Sequence, residues 1–169
     1  ANDVPNFMAD DLNVISEPLD FLVVNIYNGR MIRSGKGMRP EEVPFPPGNP
    51  LTAFYWPVTP ETLSWGPKFF QERYRRPIYI TENGIADDSD LKRPSFIEDH
   101  LLVTNRAIHD GMNVKGYFYW SLMDNYEWVD GFDVRFGLYA VDFATQKRTL
   151  RKGSLKYKEI IMQSDQRLH

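Results

Sequence analysis

Apolar residues in this chain form short runs of strand length, and longer segments with helical spacing lie between them. Runs rich in β-branched and aromatic residues predict strands, whereas apolar positions three and four residues apart predict amphipathic helices. Pro18 marks one boundary, because a proline ends the helical segment that precedes it. The predicted elements, in chain order, are the end of a helix at 10–17, a strand at 19–27, a helix from 59 to about 75, a strand at 77–82, a helix from 94 or 95 to 112, a strand at 114–121, a hairpin over 138–150 and a helix at 154–161.

Strands that alternate with helices favour parallel βαβ units. Three strands, each followed by a loop, fit either a piece of a (β/α)8 barrel or a small open α/β sheet. In both folds the functional site lies at the carboxyl ends of the strands, which places it near Tyr27, Glu82 and Trp120. Glu82 closes an apolar run and is followed at once by the turn dipeptide Asn83-Gly84. A carboxylate held there on a rigid element is a candidate for chemistry.

Residues 28–58 are rich in proline and glycine, and we expect them to form a long loop that serves as a lid or wall. Thr59 is the predicted N-cap of the following helix, with Pro60 at the first helical position. The buried face of the next helix is predicted to contain Phe96, Leu101, Ala107 and Ile108.

Composition excludes several classes of function. The chain has 169 residues, 42% of them hydrophobic, which is enough to bury a core, and a net charge of −3 gives no general attraction to nucleic acid or to an anionic membrane. There are no cysteines, and the three histidines have no close paired spacing, so we expect no metal and no cofactor. The chain has no membrane-length apolar stretch and its opening residues do not resemble a signal peptide, so we expect a soluble, cytoplasmic protein.

Nucleotide chemistry is also disfavoured. The Gly-Lys-Gly run at 35–37 lacks the spacing of a phosphate-binding loop, and no G-x-G-x-x-G turn is present. Both a small α/β nucleotide or redox protein and a nucleic-acid-binding patch are therefore poor interpretations of the chain.

Four segments carry a more specific signal: DFLVVNIY at 20–27, FYWPVTPETL at 54–63, YITENG at 79–84 and GYFYWSLMDNYEW at 116–128, the last continuing as GFDVRFGLYAVDF to residue 143. In this order and spacing they resemble the family 1 glycoside hydrolases, the retaining β-glucosidases and β-galactosidases built on a (β/α)8 barrel. The resemblance implies that residues 1–169 form the C-terminal part of such a barrel, roughly strands six to eight with their helices, and no separate second domain.

The resemblance also implies roles for individual residues. Glu82 matches the catalytic nucleophile, and Tyr27 matches the tyrosine that orients it. The chemistry suits these residue types, because retention requires one carboxylate to attack the anomeric carbon and a second carboxyl, about 5–5.5 Å away, to protonate the leaving group. The residues expected to bind substrate are Asn25, Trp56 on the aglycone side, Trp120 beneath the sugar ring, Glu127 and Trp128 at its distal hydroxyls, and Phe136 near the glycone pocket.

The second carboxyl is the main departure from the family pattern. The chain is shorter than the roughly 250 residues of a (β/α)8 barrel, and the acid/base glutamate of strand four has no counterpart in it. Glu17-Pro18 resembles the motif that carries this acid, but it precedes a strand and would lie at the opposite face, so we assign Glu17 no catalytic role. Val23, Ile26 and Tyr55 replace residues customary in the family.

Two functions therefore remain open. One is retaining hydrolysis of a β-glucoside or related oligosaccharide, with this chain supplying the nucleophile and part of the sugar pocket. The other is a catalytically inactive, self-associating half-barrel that is structural or binds carbohydrate weakly. Because the outer strands would present unpaired edges, both interpretations predict a partner, either the missing N-terminal barrel segment or a second copy of the chain.

Overall fold

A computed structural model describes residue 8 and residues 10–165 of the chain. The prediction that the chain does not open with a signal peptide concerns its first residues, most of which lie outside the described part of the chain. Within it are the helices α1 (Asp11–Ile15), α2 (Thr62–Tyr74), α3 (Arg93–His109) and α4 (Leu155–Asp165), and the strands β1 (Leu22–Asn25), β2 (Met31–Ser34), β3 (Pro40–Val43), β4 (Ile78–Asn83), β5 (Val114–Tyr119), β6 (Tyr139–Asp142) and β7 (Lys147–Leu150).

The three predicted strands form one parallel sheet in the order β1-β4-β5. In the register of this sheet Val24 lies opposite Ile80, which in turn lies opposite Tyr117. Helices α2 and α3 occupy the connections between neighbouring strands, so the predicted βαβ arrangement is confirmed. The carboxyl ends of all three strands consequently meet at one edge of the sheet.

The core lies between the sheet and its helices. Side chains alternate between the two faces of a strand, and the helix-facing set is buried. Val24, Ile78, Ile80 and Val114 of the strands form one cluster with Leu63 of α2. Full burial of each large aliphatic side chain contributes roughly 1.5–3 kcal/mol. On the opposite face, Val23 of β1 and Phe118 of β5 are each more than half exposed, as is Phe21, which directly precedes β1.

The long loop predicted at 28–58 contains a hairpin that the sequence analysis missed. Strands β2 and β3 pair in antiparallel fashion, with Met31 opposite Val43. Every residue of β2 is exposed, so no alternation of buried and exposed positions marks it as a strand. Ion pairs between Arg33 and Glu41 and between Arg30 and Glu42 link the two sides of the hairpin.

The helix starts also differ from prediction. Helix α2 begins at Thr62, and the Thr59 hydroxyl accepts a hydrogen bond from the Gly29 N–H instead of capping the helix. Helix α3 begins at Arg93, where the Asp87 carboxylate accepts hydrogen bonds from the Lys92 and Arg93 N–H groups.

The predicted buried face of α3 is correct in part. Phe96 and Ala107 are buried, but Ile108 is 43% exposed. Leu101 is partly buried and packs against a second core cluster, which consists of Ile85, Phe96, Ile97, Tyr119 and Leu138. His100 lies on the buried side, and its ring stacks on that of Phe96 at 3.7 Å between centroids.

The predicted C-terminal hairpin is confirmed, since β6 and β7 pair with Tyr139 opposite Leu150. Helix α4 follows and packs on α3. None of the helices in the described part of the chain is both long and apolar enough to cross a membrane.

Candidate active site

Glu82 and Tyr27 meet at the ends of neighbouring strands. Asn25, the last residue of β1, is in register with Glu82, and the Ile26 N–H donates to the Glu82 carbonyl oxygen at 2.9 Å. This register brings the Tyr27 hydroxyl to the Glu82 carboxylate, where it donates a hydrogen bond of 2.7 Å. Burial, followed by the hydrogen bond to Glu82 and its charge, raises the pKa of Tyr27 above its usual value. Tyr27 therefore remains a protonated donor to the carboxylate.

An aromatic wall surrounds the Tyr27 ring. Trp56 and Phe136 pack edge-on against it, with ring centroids 5.8 and 6.2 Å away. Phe54 completes the wall, because it stacks on Trp56 at 4.9 Å and lies 5.7 Å from Phe136. Phe54 was not predicted as a site residue, and no periodic signal marks it, because it lies in a turn and the following Tyr55 has a φ of 59°, in the left-handed region.

Trp120 and Glu127 form a second polar contact beside the strand ends. The Trp120 indole Nε1–H donates to Glu127 Oε1 at 3.2 Å. Burial raises the pKa of Glu127, the negative charge of Glu82 adds to the effect, and hydrogen bonds from Trp120 and Asn125 oppose it. The Glu82 carboxylate therefore lies near enough for its charge to disfavour ionisation of Glu127.

Asp124 organises the loop that carries Glu127. Its side chain is 1% exposed, and its carboxylate accepts hydrogen bonds from the Gly137 and Val141 N–H groups and from Arg151 Nη2 at 2.9, 3.2 and 2.8 Å. Arg135 adds a longer ion pair of 3.8 Å. This role of Asp124 was not predicted, because an aspartate within a polar loop has the sequence pattern of a solvated residue.

Two of the predicted binding residues, Trp128 and Asn25, are exposed and make no ring contact with the aromatic wall. Trp128 is 82% exposed, with a backbone φ of 50° in the left-handed region. Asn25 is also exposed, and its side-chain oxygen accepts a hydrogen bond of 2.7 Å from the Thr81 hydroxyl. The substrate contacts expected of Asn25 and Trp128 stay predictions.

Glu17 is exposed and lies before β1, at the amino end of the sheet. It is thus remote in the fold from the strand ends that carry Glu82. Among the described residues no group of three or more histidine, cysteine, aspartate or glutamate side chains is arranged to hold a metal ion.

The Glu82 carboxylate lies at the end of a parallel strand and accepts a hydrogen bond from Tyr27, whose ring packs against indole and phenyl rings. This arrangement suits recognition and attack of a sugar. Aromatic faces pack on the apolar C–H faces of a pyranose, and carboxylates accept hydrogen bonds from its hydroxyls. The fold is thus a segment of a parallel α/β barrel, and the arrangement at the carboxyl ends of its strands is compatible with a carbohydrate ligand.

Comparison with known proteins agrees with that class. The model of glycosyl hydrolase family 1 matches residues 1–166. A 1,4-β-D-glucan glucohydrolase of Thermotoga neapolitana is 37% identical over 94% of the chain, and a β-galactosidase of Saccharolobus solfataricus is 39% identical over 84%. The chain belongs to glycosyl hydrolase family 1.

The same comparison confirms the predicted fold. The structure of the Thermotoga maritima β-glucosidase in complex with castanospermine superposes with a TM-score of 0.80 at 34% identity over 90% of this chain. The fold is part of a (β/α)8 barrel. The chain covers 38% of the Thermotoga neapolitana relative, 31% of the Saccharolobus solfataricus relative and 37% of the superposed structure.

Proposed function

We propose that this chain supplies the nucleophile and part of the sugar pocket for retaining hydrolysis of β-glycosides. The observation that carries the proposal is the 2.7 Å hydrogen bond from Tyr27 to Glu82 at adjoining strand ends. It fixes one carboxylate oxygen, so that the other can face a substrate. The names of the relatives, β-glucosidase, β-galactosidase and glucan glucohydrolase, support a β-linked glucoside or galactoside as substrate.

In the proposed reaction Glu82 attacks the anomeric carbon as the bond to the glycosidic oxygen breaks. A covalent glycosyl-enzyme forms, and water then displaces Glu82 with a second inversion, so the configuration is retained. Trp120, Glu127 and Trp128 bind the sugar, whereas Trp56 contacts the leaving group.

The general acid belongs to a part of the barrel outside this chain. Since the chain covers 38% of a family relative, we propose the N-terminal barrel segment as its partner. This segment would pair with the open edges of β1 and β5 and supply the acid/base carboxyl. Without it, leaving groups that require protonation should depart very slowly. The absence of a second domain and a cytoplasmic location stay predictions from the sequence.

The test uses an aryl β-glucoside with a dinitrophenolate leaving group, which needs little protonation. Phenolate release is measured with the chain alone and with the N-terminal barrel segment of the Thermotoga maritima β-glucosidase, after size-exclusion chromatography has shown association. We expect release in the complex, reduced on the order of 10³-fold or more by Glu82→Gln. Association without Glu82-dependent release would contradict the proposal.

A second candidate function is a self-associating half-barrel without turnover. The exposed side chains of Val23 and Phe118, on strands with open edges, favour it, as does exposed Phe21 directly before β1. Light scattering of the chain by itself distinguishes the two functions. A stable oligomer that neither associates with the N-terminal segment nor releases phenolate would support this candidate.

A further inference from the structure

Arg93 is the most completely buried charged side chain near the site, with 0% exposure. Its sequence context, a polar stretch at 87–93, is typical of a surface loop. A buried guanidinium is costly unless each of its donors is satisfied. The groups that accept hydrogen bonds from Arg93 therefore indicate which parts of the structure its guanidinium holds together.

The Arg93 guanidinium joins two loops that belong to different strand ends. On the loop after β4 it donates to Asp90 Oδ1 at 2.8 Å, to the Asp87 carbonyl at 2.7 Å and to the Ile85 carbonyl at 3.1 Å. On the loop after β5 it donates to the Phe136 carbonyl at 3.0 Å and makes a longer bond of 3.4 Å to the Arg135 carbonyl.

A further bond ties Arg93 to strand β5 itself. Its Nη1 donates to the buried Tyr119 hydroxyl at 2.7 Å. Beside it, the Asp87 N–H donates to the Arg135 carbonyl at 3.1 Å, which is a direct backbone link between the two loops. Because a guanidinium is a planar, rigid fork of five donors, it fixes the separation and relative orientation of the loops it bridges.

Both bridged loops lead into the site. The loop after β4 begins two residues after Glu82, and the Phe136 ring packs against Tyr27, the donor to Glu82. We propose that Arg93 is a positioning residue for this site, whose guanidinium holds Phe136, and through it Tyr27, in register with the Glu82 carboxylate. This inference rests on the proposed function, since the geometry it maintains is that of the nucleophile.

The test measures formation of the covalent intermediate by mass spectrometry with 2-deoxy-2-fluoro-β-D-glucosyl fluoride. Its fluoride leaves without help from a general acid, and the chain is used in its complex with the N-terminal barrel segment of the Thermotoga maritima β-glucosidase, which completes the sugar pocket. The variant is Arg93→Lys, which keeps the charge but not the fork. The control is Ile97→Ala, a fully buried core residue of the same helix with no polar contact to either loop.

A purely stabilising Arg93 would change how many molecules react, whereas a positioning residue changes how fast each one reacts. We expect Arg93→Lys to lower the rate constant at saturating reagent by about 10- to 100-fold, the scale of loss for a misplacement of about 1 Å. Ile97→Ala should lower only the labelled fraction. A normal rate constant in Arg93→Lys, or an equal loss in both variants, would overturn the proposal.

Amide hydrogen exchange gives a readout that is independent of chemistry. Exchange of the Asp87 N–H, bonded to the Arg135 carbonyl, should speed up at least tenfold more in Arg93→Lys than in Ile97→Ala. Equal acceleration in the two variants would overturn the positioning role. If the unsubstituted chain is never labelled in that complex, the assignment of Glu82 as nucleophile fails, and this exchange measurement alone decides whether Arg93 holds the two loops together.

Discussion

Removal of the Asp124 carboxylate should destabilise the chain far more than removal of an exposed aspartate. Its side chain is 1% exposed, and Asp124→Ala would leave Arg151 and the Gly137 and Val141 N–H groups without their acceptor. Breaking a buried ion pair by removing one partner costs about 3–5 kcal/mol, because the remaining charge is stranded. At about 2–4 °C per kcal/mol for a domain of this size, the melting temperature should fall by roughly 6–20 °C.

The assay is urea and thermal unfolding followed by circular dichroism. Asp88→Ala is the matched control: Asp88 is exposed in the neighbouring loop after β4, and a surface substitution usually changes stability by less than about 0.5 kcal/mol. A double-mutant cycle of Asp124→Asn and Arg151→Gln isolates the pair itself. A loss below about 1 kcal/mol for Asp124→Ala would refute the reasoning, since it would mean that water reaches the stranded groups.

Three further predictions follow from single contacts. Tyr27→Phe removes a hydrogen bond to a charged group, worth about 1.5–3 kcal/mol, so labelling of Glu82 should slow about 10- to 150-fold; an unchanged rate would contradict an orienting role. Burial lowers the pKa of His100 to about 4, so the unfolded chain binds the extra proton. Stability measured by urea unfolding should therefore fall by up to about 3 kcal/mol as the pH drops from about 6.5 to about 4, with a shallower slope for His100→Gln; equal slopes would show that His100 is not responsible. Gly84→Ala should cost at least about 1–3 kcal/mol in thermal unfolding, because the added Cβ would collide with the Trp120 carbonyl oxygen; an unchanged melting temperature would contradict that close approach.

The sequence predicted the elements whose signal is local. Each strand of the parallel sheet is an apolar run, and Glu82 stands out because it ends such a run before a turn. The family resemblance rests on short contiguous motifs, which a single sequence displays in full. Hairpin β2–β3 was not predicted because it lacks such a local signal. Its exposed strands have no buried face and hence no alternating pattern of apolar and polar residues.

Placement of the site residues depended on contacts between distant parts of the chain. Trp128 was predicted to bind substrate but is exposed. Phe54 was given no predicted role, yet it is part of the aromatic wall. Whether an aromatic ring faces the site or the solvent depends on loop geometry, because its hydrophobicity is the same in either position.

By itself the sequence determined the class of fold, the family and the strand end that carries the candidate nucleophile. Only the tertiary structure showed that Arg93 and Asp124, two charged residues in polar segments, are buried at the junctions of the loops around the site. Arg93 meets the Phe136 carbonyl 43 residues later, and Asp124 meets Arg151 27 residues later. A charged residue is stable in the interior only where partners from elsewhere in the chain satisfy it, and those partners converge only when the chain has folded.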